Sequence, residues 1–221
     1  VFHIHIRPDQ LADKVILVGD PGRVEMFRSL FEKVECEGAS REFVWMTGRY
    51  NSEKVTVLST GIGTDNIDIV MTELDALANV DFSTREVKSV HRTLDILRIG
   101  TCGAIQPEIP LGSFIFSHIS VGCDGLLNWY DNRDSIALLD FEEAFKKHVH
   151  WDKHLPDPYF VRASDKIISK FADCTVKGMT ISASGFYGPQ GRVVRQGLAM
   201  PNMLEDFESF EFGGYKITNF E

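Results

Sequence analysis

The sequence of 221 residues contains few cysteines, no excess of basic residues and no long apolar run. Its four cysteines form no Cys-x-x-Cys pair, so we predict neither a zinc site nor a disulfide framework and expect a reducing, cytoplasmic environment. No apolar run approaches the ~20 residues that a membrane-spanning helix needs, so no membrane association is predicted. The net charge of −9 argues against nonspecific nucleic-acid binding, which requires a basic face. An anionic ligand would therefore need a local group of arginines.

Apolar residues make up 43% of the chain, enough for the core of a single domain over residues 1–221. Apolar runs bounded by glycine and polar residues predict strands, and apolar residues at helical spacing predict helices. The predicted strands cover residues 14–18, 43–50, 54–59, 94–99, 112–121, 176–183 and 215–220. The predicted helices cover residues 24–34, 65–79, 141–149 and 165–172, and residues 82–92 form a polar surface insertion. This alternation predicts an α/β fold with a mixed central β-sheet flanked by helices.

The segment after the fourth predicted strand has the composition of an anion site. It reads Arg98-Ile99-Gly100-Thr101-Cys102-Gly103-Ala104. Gly100 and Gly103 would let the backbone turn tightly and expose its N–H groups. The Thr101 hydroxyl and the Arg98 guanidinium would complete a phosphate site, although an arginine at a strand end is equally consistent with a structural ion pair.

Two further glycine-containing turns follow predicted strands. One reads Gly19-Asp20-Pro21-Gly22-Arg23, and its arginine would begin a helix whose N-terminus can bind an anion. The other reads Ser59-Thr60-Gly61-Ile62-Gly63. Each turn alone is also an ordinary connection, but all three follow the carboxyl ends of strands, where α/β sheets bind ligands.

A loop near the carboxyl end combines three glycines and a proline with side chains suited to a base. It reads Ser184-Gly185-Phe186-Tyr187-Gly188-Pro189-Gln190-Gly191-Arg192. Phe186 offers a stacking face, and the Gln190 amide carries a donor and an acceptor that match the imide edge of a pyrimidine. Arg192 could hold a carbonyl that gains negative charge. A surface loop whose aromatic side chains pack inward would have the same composition.

Together, and in this order, these motifs resemble the nucleoside phosphorylase family, most closely its uridine phosphorylases. The resemblance runs from Val1-Phe2-His3 through Ser40-Arg41-Glu42-Phe43 to Asn219-Phe220-Glu221 and so covers nearly the whole chain. It implies a pentosyltransferase that converts a nucleoside and phosphate, here uridine and phosphate, into the free base and ribose 1-phosphate. It implies no metal or organic cofactor for the chemistry.

The resemblance also implies a set of site residues. Those for phosphate are Gly19, Arg23, Arg41, Arg98 and Thr101; those for the base are Phe186, Gln190 and Arg192; those for the ribose are His3 and Glu221. The resemblance implies that Arg98, Thr101 and Arg192 are catalytic. Arg98 and Thr101 would hold the phosphate that stabilises an oxocarbenium-like sugar, and Arg192, with Gln190, would stabilise negative charge on the leaving base.

Three expectations concern assembly and chain length. His3 and Arg41 match residues that the family lends across a subunit interface, which implies a homodimer that assembles to a homohexamer. A monovalent cation such as K⁺ would lie between subunits near Glu42 and the backbone of Ile62, but Asn66 stands where the family usually has serine. The family continues with further helices past Glu221, so we expect the native polypeptide to be longer.

Two alternatives stay open. A purine nucleoside phosphorylase shares most of these motifs, although the Ser184–Arg192 loop favours a pyrimidine. A non-catalytic nucleoside-binding relative would also retain them. A hydrolytic nucleosidase has little use for three arginines directed at phosphate, which counts against it.

Overall fold

The computed structural model describes all 221 residues, from Val1 to Glu221. The chain divides into two compact units, Val1–Gly100 and Thr101–Glu221. Both units combine a mixed sheet with helices, and the predicted mixed α/β fold is confirmed. One domain over residues 1–221 stays a prediction. None of the helices is both long enough and apolar enough to cross a membrane.

The first unit is a five-stranded mixed sheet with one long helix. Its strands are β1 (Lys14–Val18), β2 (Lys33–Ser40), β3 (Phe43–Tyr50), β4 (Glu53–Ser59), β5 (Val80–Asp81), β6 (Glu86–Val87) and β7 (Asp95–Ile99), and its helices are α1 (Pro21–Met26) and α2 (Thr64–Asn79). The strand order is β2-β3-β4-β1-β7, with β5 and β6 forming a separate pair. β1 runs parallel to both β4 and β7, so their carboxyl ends lie along one edge of this sheet.

Helix α2 covers this sheet with one apolar face. Val70, Leu74 and Leu77 recur at helical spacing, are fully buried, and pack with Leu17 and Trp45 of the strands. Each such side chain contributes about 1.5–3 kcal/mol when removed from water, so the face fixes the position of the helix and of its first turn.

The second unit has its own mixed sheet with the order β10-β9-β11-β13-β12, and a short strand β8 that pairs with β13. Its strands are β8 (Gly103–Ala104), β9 (Ile115–Gly122), β10 (Tyr159–Arg162), β11 (Val176–Ser182), β12 (Glu211–Phe212) and β13 (Tyr215–Phe220), and its helices are α3 (Leu139–His148), α4 (Asp165–Phe171) and α5 (Met203–Ser209). Phe145 of α3 is fully buried among Phe160, Phe207 and Phe210, with ring centroids 5.2–5.4 Å away. These aromatic contacts join α3 and α5 to the sheet.

Several sequence predictions differ from the structure. The helix predicted over residues 24–34 is wrong beyond Met26, because residues 28–30 form a 3-10 turn and strand β2 begins at Lys33. Helix α2 begins at Thr64, one residue before the predicted start at residue 65. Gly100 and Gly103 do not adopt positive φ, and Gly103 instead begins β8.

Candidate functional site

All three predicted turns start at the carboxyl edge of the first sheet. β1 pairs in register with β4 and β7, with Val18 opposite Ser59 and Ile99. The N–H of Thr60 donates to the Val18 carbonyl at 2.8 Å, which joins the turn after β4 to the turn after β1. This edge is where parallel strands place their ligand-binding turns.

Arg98, Gly19 and Arg23 lie near one another at this edge. A Cβ built on Gly19 would lie 3.7 Å from Nη2 of Arg98, so the guanidinium lies beside this glycine. Arg98 keeps solvent exposure, yet the protein around its guanidinium lowers its pKa, and the positive charge of Arg23 lowers it further. Two like charges held this near each other raise the free energy of the unliganded site, and an anion between them would relieve the repulsion.

The turn that carries Arg23 is fixed by local hydrogen bonds. Asp20 is the N-cap of α1, and its Oδ1 accepts the N–H of Gly22 at 2.8 Å. Pro21 occupies the first turn, where no N–H is needed. The prediction that Arg23 begins the helix is off by two residues, but Arg23 still lies in the first turn beside the sheet edge.

His3 and Arg41, the residues that the resemblance assigns to a neighbouring subunit, lie near each other around Glu42. Hydrogen bonds from the backbone N–H of Glu42 and from Asn66 lower the pKa of the Glu42 carboxyl, and the charges of Arg41 and His3 lower it further. Arg41 is exposed and has a φ of +56°, in the turn between β2 and β3. Ser59 fixes that turn, because its Oγ donates to the Glu42 carbonyl at 2.6 Å.

The residues expected around a cation are joined directly to one another. Nδ2 of Asn66 donates to Oε1 of Glu42 at 3.0 Å and to the carbonyl of Ile62 at 3.2 Å. A cation needs oxygen ligands directed at it, whereas here an N–H group points at both oxygens. This geometry does not suit a monovalent cation.

In the second unit, the loop over residues 184–192 places the three base-directed side chains together. Nη1 of Arg192 donates to the carbonyl of Phe186 at 2.8 Å and to Oε1 of Gln190. The guanidinium carbon of Arg192 lies 4.1 Å from the ring centroid of Phe186. Gln190 is 9% exposed, while Phe186 is 61% exposed and offers its ring to a ligand. The arrangement presents an aromatic face, amide donors and a guanidinium on one loop.

The remaining predicted residues lie in the second unit at strand ends. Thr101 is exposed and precedes β8. Glu221 follows β13, and its N–H donates to the Ile181 carbonyl at 2.8 Å while its carbonyl accepts from Ala183 at 3.2 Å. Cys102 keeps solvent exposure, yet the protein around its thiol raises the thiol pKa despite a hydrogen bond with Asn219, which disfavours a nucleophilic thiolate.

Sequence reasoning missed one residue of the site, Glu73. Its carboxylate accepts from Nδ1 of His3 at 2.7 Å and from the N–H of Ile4 at 2.9 Å. Burial raises the pKa of Glu73, but these hydrogen bonds outweigh that effect and hold it below its usual value. No local signal indicates this contact, because 70 residues separate the two side chains.

Comparison with known proteins gives a consistent family. The family model described as Phosphorylase superfamily matches residues 13–210. Uridine phosphorylase of Escherichia coli K12 is 34% identical, and the match covers 99% of this chain and 77% of that protein. Uridine phosphorylase of Thermococcus kodakarensis is 27% identical, and the match covers 100% of this chain and 68% of that protein. A DeoD-type purine nucleoside phosphorylase of Brevibacillus brevis is 27% identical, with 90% and 83% covered. A Trypanosoma brucei nucleoside phosphorylase, described as showing uridine phosphorylase activity, has a solved structure that superimposes with a TM-score of 0.86 at 29% identity. The superposition covers 100% of this chain and 80% of that chain.

Proposed function

Because the chain belongs to the phosphorylase superfamily, we propose that it is a pyrimidine nucleoside phosphorylase that cleaves uridine with phosphate. The glycosidic bond between the sugar C1′ and the base nitrogen breaks, and a bond forms between C1′ and a phosphate oxygen. The products are ribose 1-phosphate and uracil, which leaves as an anion and gains a proton. The uridine phosphorylases among its relatives support uracil as the base. A purine nucleoside phosphorylase is also among the relatives, so cleavage of a nucleoside by phosphate is the more general form of the proposal.

The use of phosphate in this proposal is supported by the proximity of Arg23 and Arg98 at the carboxyl edge of the first sheet. We assign the phosphate to these two arginines and to the backbone at Gly19, and the family resemblance adds Thr101. A phosphate dianion suits guanidinium forks, which bind two oxygens at once. Binding both reactants on one protein supplies much of the rate through proximity.

The base is assigned to Phe186, Gln190 and Arg192. The Arg192 guanidinium would donate to a uracil carbonyl as negative charge develops there, and this stabilises the transition state more than the ground state. Gln190 is oriented by its hydrogen bond from Arg192, which leaves its Nε2 donors for the base. A ring stacked on Phe186 would complete the recognition.

The ribose and the assembly follow from the family. We assign the 5′-hydroxyl to His3 of a neighbouring subunit, and we also assign Glu221 to the ribose. Arg41 would reach the phosphate of the same neighbouring site. The proposal therefore includes a homodimer at least, as part of a homohexamer, in the cytoplasm.

The proposed phosphate site is tested by Arg98→Ala. Losing a charge-assisted hydrogen bond costs about 1.5–3 kcal/mol, so kcat/KM for phosphate should fall roughly tenfold to a hundredfold. Arg7→Ala, which removes an exposed arginine paired with Asp9, is the matched control and should leave the rate unchanged. An Arg98→Ala enzyme with the wild-type dependence on phosphate would contradict the assignment.

A further inference from the structure

Asn66 occupies a central position in the first turn of α2. Its side chain is 8% exposed, and Nδ2 donates to Oε1 of Glu42 and to the Ile62 carbonyl, at 3.0 and 3.2 Å. One amide group thus joins the turn before β3 to the turn after β4. These two hydrogen bonds use both protons of the amide.

The orientation of the Asn66 amide follows from its partners. A carbonyl oxygen is only an acceptor, and so is an ionised carboxylate. The hydrogen bonds to Glu42 lower its pKa, which keeps it ionised near neutral pH. The opposite orientation would place Oδ1 against two oxygens, an arrangement that is unfavourable unless a cation lies between them.

The space around this amide is already filled. Gly61 has a φ of +69°, and a Cβ built on it would lie 2.7 Å from Cγ of Glu42 and 2.8 Å from Nδ2 of Asn66. Only glycine fits there, and the backbone closes against the hydrogen-bonded pair. The side chains therefore pack in direct contact.

We infer that the Asn66 amide takes the place of a monovalent cation, joining Glu42 to Ile62 by hydrogen bonds, so that this protein folds and stays stable without K⁺. Two N–H groups satisfy the two oxygens that a cation would otherwise have to bridge. The inference concerns the scaffold and does not depend on the proposed reaction.

The test is thermal unfolding of the full chain in KCl and in tetramethylammonium chloride at the same ionic strength. A cation site filled at a hundredfold excess over its Kd would raise Tm by roughly 5–10 °C in a chain of this size. We expect the wild-type Tm to be the same in both salts. A rise of that size in KCl would overturn the inference.

Asn66→Asp is the sharper variant, since it keeps the shape of the side chain but replaces Nδ2 with an oxygen facing Glu42. In tetramethylammonium chloride its Tm should fall by several degrees relative to Thr72→Asp, which adds the same charge to an exposed position of α2. Equal Tm values for the two variants would overturn the inference.

A binding measurement on the wild-type chain decides the matter even if Asn66→Asp does not fold. Thallous ion is a probe for K⁺ sites, and its binding can be followed by ²⁰⁵Tl NMR or equilibrium dialysis. The inference predicts no saturable Tl⁺ binding. Saturable binding that K⁺ competes away would show that a cation enters this site and that the amide does not replace it.

Discussion

Nδ1 of His3 lies 2.7 Å from Oε1 of Glu73, and the same carboxylate accepts the N–H groups of His3 and Ile4. Because a carboxylate only accepts, Nδ1 of His3 must carry a proton. Glu73 is therefore a positioning residue, which fixes both the orientation and the tautomer of the side chain assigned to the ribose 5′-hydroxyl.

Replacing Glu73 with Gln should destabilise the segment that carries His3. A glutamine amide is uncharged and has only one acceptor oxygen, so it cannot replace the carboxylate in all three hydrogen bonds. We therefore expect a loss of about 1–3 kcal/mol in the free energy of unfolding. Asp75→Asn, on an exposed position of the same helix, should have little effect. Urea denaturation of the three proteins measures the difference, and a Glu73→Gln protein as stable as the Asp75→Asn control would contradict this role.

The same carboxylate gives a pH dependence with a definite sign. The pKa of Glu73 is lower in the folded protein than its usual 4.5. Between these two pKa values the unfolded chain binds more protons than the folded chain, so the free energy of unfolding rises with pH. The stabilisation is fully present above pH 4.5 and is lost as the pH falls through the lowered value. The stability difference between the wild-type protein and Glu73→Gln should therefore shrink below pH 4.5. If the stability difference between the two proteins stayed constant down to the pH of acid unfolding, it would contradict a hydrogen bond between His3 and an ionised Glu73.

The proposed preference for a pyrimidine base depends on Gln190. Gln190→Leu keeps the approximate volume but removes the amide, leaving polar edges of uracil unpaired, so kcat/KM for uridine should fall roughly tenfold to a hundredfold. Gln196→Leu, an exposed glutamine in the following segment, is the control. Rates with uridine and inosine should be compared for both variants and for the wild-type enzyme. Faster wild-type turnover of inosine would favour the purine alternative.

Sharing of sites between subunits is tested by mixing two variants of strongly reduced activity. If Arg41 acts in the neighbouring site and Arg98 in its own, a dimer of one Arg41→Ala and one Arg98→Ala chain contains one intact site. Equal mixing with subunit exchange should restore roughly a quarter of the wild-type sites. Mixtures no more active than either variant alone, despite demonstrated exchange, would place Arg41 outside the neighbouring site.

The sequence predicts the buried strands well. β1 matches its predicted bounds because it is a short apolar run that ends before a glycine, and β13, in which apolar residues are interspersed with polar ones after two glycines, also matches its predicted bounds. The hairpin of β3 and β4 also agrees, since the polar Asn51 and Ser52 separate two apolar runs.

Other elements carry no comparable signal. β2 lies at the edge of its sheet and alternates exposed and half-buried positions, so its polar composition does not distinguish it from a loop. Helix α1 ends at Met26, and the extended backbone of Phe31 ends the 3-10 turn that follows; the apolar spacing reveals neither. Contacts between distant residues, such as Glu73 with His3 or Asn66 with Glu42, depend on the tertiary fold. The motifs name candidate residues, and the structure adds the partners that orient them.

The most direct measurement is the reaction of the purified wild-type protein with uridine, with and without inorganic phosphate, followed by ³¹P NMR and by uracil release. Phosphorolysis predicts that uracil forms only when phosphate is present, with one ribose 1-phosphate for each uracil. Uracil release at the same rate without phosphate, or binding of uridine without any cleavage, would contradict it.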